Sequence, residues 1–96
     1  MSAFVIVDTK ITNPENYEIY KAQARPIAEK FGGIYRARGG EIEVVESDLW
    51  VPTRIVVVEF PNMEMARAFV HSQEYEPVAA IRHANAKCTL LILDGE

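Results

Sequence analysis

The densest apolar run in the chain is Ile55-Val56-Val57-Val58, bracketed by Arg54 and by Glu59-Phe60. Four β-branched residues in a row predict a strand buried on both faces. Pro61 and Asn62 stop it, because proline cannot donate to a ladder. Arg54 and Glu59 are five apart, so a strand sends them to opposite faces. The predicted neighbour is one long, bent strand. It runs from Tyr35 to Arg38, passes Gly39-Gly40, and continues from Glu41 to Glu46. The glycine pair marks a bulge, with Arg38 at the bend. Ser47 to Pro52 closes the hairpin and carries Trp50. Ala3 to Ile11 is apolar with polar breaks only at Asp8, Thr9 and Lys10, and reads as the first strand. Lys87 to Leu93 reads as the last.

Two stretches change period. Asn13-Pro14 is a helix start, in which asparagine caps and proline fills the first helical position, where no N–H is needed. Tyr17, Tyr20, Ala24, Ala28 and Phe31 then recur at spacings of three and four, with Ile27 beside them, and form one apolar face. Pro26 falls inside this pattern and is a candidate kink. Gly32-Gly33 ends the helix. Asn62 caps a second helix with Met63, Ala66, Phe69 and Val70 on its buried side. Ser72 caps a short turn carrying Glu74 and Tyr75. Pro77 predicts a break, after which a new turn puts Val78 and Ile81 inward and ends at Arg82 and His83.

The order is strand, helix, strand, strand, helix, strand. That is an α+β, ferredoxin-like βαββαβ arrangement, with helices on one face of a four-stranded antiparallel sheet. Strands one, three and four are apolar on both sides, as in Val5 and Val7 against Phe4 and Ile6. The chain's own helices cover one face only. The other would leave an apolar patch in water, which soluble monomers rarely tolerate. A two-fold homodimer with sheet against sheet is the expected remedy.

Length and composition narrow the function. Ninety-six residues make one domain, spanning 1–96. A content of 49% apolar and 25% charged residues is that of a soluble globular protein. The net charge of −4 argues against nucleic acid or an anionic membrane as partner. The N-terminus has no basic n-region, and no apolar run reaches the ~20 residues that span a bilayer. Cys88 is the only cysteine, so no internal disulfide forms, which fits a reducing cytoplasm.

The chain also resembles a known family. The Asn-Pro-Glu-x-Tyr helix start, Phe31-Gly32-Gly33, Arg38-Gly39-Gly40, Trp50-x-Pro-x-Arg54, Glu59-Phe60-Pro61 and Ser72-x-Glu-Tyr75 with Arg82 look like the domain-of-unknown-function family thirteen-thirty. The likeness runs over nearly the whole chain. It implies the dimeric α/β-barrel superfamily, whose members include cofactor-free monooxygenases, small isomerases and haem-handling enzymes. It implies no particular activity. Ser47 stands where the family usually has glycine, and Leu49 separates Asp48 from Trp50.

Five residues are candidate ligand contacts. Arg38 and Arg54 stand close across the predicted hairpin, and two neighbouring guanidinium groups need an anion between them. The plain alternative is ion pairing of Arg38 with Glu41, Glu43 or Glu59. Trp50 is a candidate apolar wall, or a residue that covers the barrel end or touches the other subunit. Tyr75 and Arg82, seven apart, cap the same cleft if their helix is continuous. Otherwise Arg82 pairs with Glu74 or Glu76. His71 and His83 read as surface or capping residues, with no nucleophile spacing near them. No metal-ligand pattern and no Gly-rich phosphate loop are present, and no cofactor is expected. Three readings follow. One is a small, cofactor-free enzyme acting on an anionic or aromatic molecule. The second is a binding module using the same pocket. The third is an interaction protein whose polar groups are internal ion pairs.

Overall fold

A computed structural model describes residues 2–96. The chain forms β1 (Ala3–Ile11), α1 (Pro14–Lys30), β2 (Ile34–Arg38), β3 (Ile55–Phe60), α2 (Met63–Val70), α3 (Glu76–Asn85) and β4 (Ala86–Asp94). The strands make one antiparallel sheet in the order β2-β3-β1-β4, the expected ferredoxin-like topology. No helix is long and apolar enough to cross a membrane.

The helix boundaries follow the predicted chemistry. Asn13 Oδ1 accepts from the Asn16 backbone N–H, Pro14 starts α1, and the helix runs through Pro26. Asn62 Oδ1 caps α2 through the Met65 N–H at 2.8 Å. Ser72 Oγ accepts from the Tyr75 N–H, and Pro77 sits in the first turn of α3, where its missing donor costs nothing.

The period-two burial of β1 divides the sheet into two faces. Ala3, Val5, Val7 and Thr9 are buried beneath the helices. Ala3, Val5 and Val7 join Val58, Phe60, Ala24, Ala28, Ala66, Phe69 and Val78 in the core. Phe4, Ile6, Asp8 and Lys10 point the other way. Across that second face lie Ile34, Val57, Leu91 and Leu93, and Leu93 is 52% exposed. The patch foreseen from the sequence is therefore present on the single chain.

The long bent strand is not. β2 ends at Arg38, and residues 39–54 contain neither helix nor strand. Gly39 takes φ +71 and turns the chain away after its N–H closes the ladder on Ile55 O. Arg38 already pairs with Val56, so residues 41–46 have only the Pro52 segment to oppose them, and no ladder forms. The bulge is also misplaced in the sequence reading. It falls between Tyr35 and Ala37, where Arg36 is the extra residue.

Candidate functional site

That bulge builds the site. Tyr35 and Arg38 are three apart, and a regular strand would send them to opposite faces. The extra residue restores the parity, so Tyr35 opposite Val58 and Arg38 opposite Val56 both face the helices. Arg54, two residues before Val56, faces the same way. The result is a narrow, open cleft between the sheet and α1. Val7, Val56 and Ala24 form its floor. Tyr17, Tyr20 and Tyr35 form its walls. Lys21, Arg38 and Arg54 form its rim.

The rim is cationic and short of counter-charge. Lys21 Nζ lies 2.9 Å from Glu18, which stays wet on the helix surface. Glu59, one expected partner for Arg38, instead meets Arg36 Nε at 2.9 Å on the opposite face of the sheet and accepts from Ser2 Oγ. Among the described residues neither Arg38 nor Arg54 has a carboxylate within salt-bridge reach. Each lies over a tyrosine ring instead, Arg38 over Tyr35 and Arg54 over Tyr17, both at 5.7 Å from the centroid. Arg25, held by Glu29 at 3.7 Å, covers Tyr35 as well, at 5.0 Å. The cations are felt beyond the cleft. The bond from Lys21, then the charges of Lys21, Arg38 and Arg54, hold the Glu18 carboxyl below its usual range.

The tyrosine walls are neutral. Burial pushes the hydroxyls of Tyr17 and Tyr35 up, and pushes Tyr20 up further with help from Tyr75. The Tyr20 and Tyr75 hydroxyls meet at 2.7 Å. Behind that contact is a second hollow, between α3 and β4, to which Tyr75 and Arg82 belong. Arg82 is buried and stacks over Tyr20 at 5.8 Å. Glu74, one of its expected partners, is taken by Lys30 at 2.9 Å.

The sequence-predicted residues thus divide into three places. Arg38 and Arg54 share the cleft. Tyr75 and Arg82 share the hollow behind Tyr20. Trp50 lies across the sheet, where its indole Nε1 donates to Asp8 Oδ2 at 2.9 Å, and it does not line the cleft of its own chain. Sequence reading placed Tyr17, Tyr20 and Tyr35 only in the helix face and the strand, and gave Lys21 no role. The signal was present in the 17, 20, 21, 24 spacing of α1, which puts Lys21 at the edge of the apolar stripe. His71 and His83 are exposed. Among the described residues no cluster of three or more His, Cys, Asp or Glu side chains is arranged to hold a metal.

Solved structures share this fold at low sequence identity. A protein of unknown function from Rhodopseudomonas palustris superposes with a TM-score of 0.77 at 15% identity, covering 99% of this chain and 82% of that one. A dimeric ferredoxin-like protein of unknown function from Jannaschia sp. CCS1 gives 0.75 at 10% identity, covering 99% and 100%. SnoaB, a cofactor-independent oxygenase from Streptomyces nogalater, gives 0.71 at 9% identity, covering 99% and 93%. At these identities the likeness is one of fold. Comparison with curated proteins finds no match. The motifs that run from Asn13 to Arg82 are matched as a whole by one family model over residues 2–96, and the chain belongs to that family, the domain of unknown function DUF1330.

Proposed function

We propose that the protein is a homodimer in which each subunit binds a small organic acid in the cleft between the sheet and α1. The carboxylate sits between Arg38 and Arg54, and an aromatic or apolar body lies against Tyr17, Tyr20 and Tyr35. One observation carries this reading: two guanidinium groups rim an apolar, aromatic-walled hollow, and no carboxylate of the described chain neutralises them. Arg38 is exposed and Arg54 half-buried; a half-buried charge beside a second cation is normally paired, so the pairing is left for a ligand that both can reach. The same observation weighs against the interaction-protein reading, in which these arginines would be consumed by internal ion pairs. The homodimer is supported by the apolar open face and by the dimeric description of the Jannaschia relative. A lone, free Cys88 fits the cytoplasmic setting that completes the proposal.

A second reading adds chemistry to binding. The Tyr20–Tyr75 hydroxyl pair at 2.7 Å links the cleft wall to the residue behind it and is a candidate proton carrier. An enzyme that needs no cofactor would use that pair for proton transfer and Arg38 and Arg54 to stabilise a developing oxyanion.

A thermal-shift screen with aromatic carboxylates, benzoate and salicylate among them, tests the binding. Ligand at roughly a hundredfold above its Kd stabilises by about 2.7 kcal/mol, on the order of 10–20 °C of melting temperature for a domain of this size. The rise disappears in Arg38→Ala and Arg54→Ala. An unchanged melting temperature across the whole screen removes the reading.

A further inference from the structure

The cleft leaves one cation unexplained. Arg82 is 5% exposed, deep between α3 and β4, and among the described residues no carboxylate reaches it. Its Nε is buried without a hydrogen-bond partner. The groups around the guanidinium are neutral: the Tyr20 ring, the Tyr75 hydroxyl and the Cys88 thiol. His83 is exposed at the mouth. A buried, unpaired guanidinium is costly unless a counter-charge arrives. The unused Nε leaves the guanidinium incompletely satisfied, and the fork of a guanidinium matches the two oxygens of a carboxylate.

Arg82 is also not enclosed by protein alone. It helps line a hollow that is open to solvent, with Val70, Ala79 and Leu90 as apolar walls. The Tyr20–Tyr75 hydroxyl contact stands between this hollow and the arginine-rimmed cleft, since Tyr20 lines the one and Tyr75 the other. The charge, the unfilled donor and the apolar walls occur together in one place that the cleft does not include.

We infer that the hollow between α3 and β4 is a second, separate anion site, in which the Arg82 guanidinium takes the carboxylate of a short-chain aliphatic acid whose tail lies along Val70, Ala79 and Leu90. A small carboxylate suits the place better than a phosphate. One guanidinium with neutral neighbours balances a single negative charge, and the apolar walls favour a ligand with an alkyl body.

The test is a titration of the whole protein with butyrate, followed through arginine side-chain Nε–Hε signals in 15N NMR and assigned with Arg82→Lys. Binding at this site shifts the Arg82 signal saturably. Ala79→Trp, which fills the hollow while keeping Arg82 in place, abolishes the shift, and Arg38→Ala leaves it intact. An Arg82 signal that does not move, one that moves equally in Ala79→Trp, or a response that vanishes with Arg38→Ala each overturns the assignment. Because Arg38→Ala is silent here and decisive for aromatic acids in the cleft, the two sites stand or fall independently. If Arg82→Lys fails to fold, sequential assignment of the wild-type signals identifies Arg82, and an Arg82 signal that does not move with butyrate still overturns the assignment.

Discussion

Asp8 Oδ1 accepts the backbone N–H of Arg54 at 3.1 Å, so a carboxylate on the open face of the sheet fixes the residue whose side chain rims the cleft on the other face. The same carboxylate takes the Thr53 N–H at 2.9 Å and the Trp50 indole N–H at 2.9 Å. Residues 39–54 lack secondary structure, and Asp8 is the clamp that returns them to the start of β3. The bonds act across the sheet. Loosening them frees the Trp50 loop and the Arg54 backbone together.

Asp8→Asn is therefore expected to destabilise the fold by roughly 1 kcal/mol, because it sets an amide N–H2 against one of three part-buried N–H donors. Trp50 fluorescence shifts to the red while the far-ultraviolet circular dichroism is retained. The wild type behaves similarly in acid. Burial alone would raise the Asp8 pKa, but the N–H groups of Thr53 and Arg54 and the Trp50 indole outweigh it and hold the carboxyl below 3.8. A depressed folded-state pKa means that the unfolded chain binds the proton more readily. The stabilisation is thus complete above the ordinary carboxylate range and is lost as pH falls below about 4. Denaturant midpoints measured down through that range check the sign. A midpoint that rises on acidification contradicts the clamp.

Gly39→Ala is expected to damage the cleft without touching a ligand. Gly39 holds φ +71, and a Cβ there would stand 2.6 Å from Arg54 Nε and 2.9 Å from Cζ. The left-handed conformation costs a non-glycine residue roughly 1–2 kcal/mol, and the guanidinium must also move aside. The variant folds with a lower melting temperature and loses most of its response to aromatic acids. Gly40→Ala, at a position where an added Cβ meets nothing within 4 Å, is the control and keeps both.

Leu91→Glu probes the dimer. Leu91 lies on the open face opposite Ile6 and is 36% exposed on the single chain. A lone subunit tolerates the charge because it stays in water. Two sheets packed face to face would bury it unpaired, at a cost of several kcal/mol. Sedimentation is expected to give a dimer for the wild type and a folded monomer for the variant. A wild-type protein that sediments as a 10.8 kDa particle refutes the pairing.

The sequence by itself determined the elements and their order. Asn13-Pro14, Gly32-Gly33, Asn62, Ser72 and Pro77 are local signals whose effects extend over one turn of chain, so they act the same way whatever the rest of the molecule does. The alternation in β1 likewise sorted its residues into two opposite sets, because strand parity is a property of the backbone alone, while the packing of the helices decided which set they cover. Tertiary structure decided everything that depends on a partner. The Glu41 to Glu46 stretch has the alternation of a strand, but a strand exists only where another offers hydrogen bonds, and the Pro52 segment does not. Trp50 went to Asp8 rather than to the cleft because the free acceptor lay across the sheet. The bulge at Arg36 came from the register of β2 on β3, and that single extra residue turned Arg38 toward the same side as Tyr35 and Arg54.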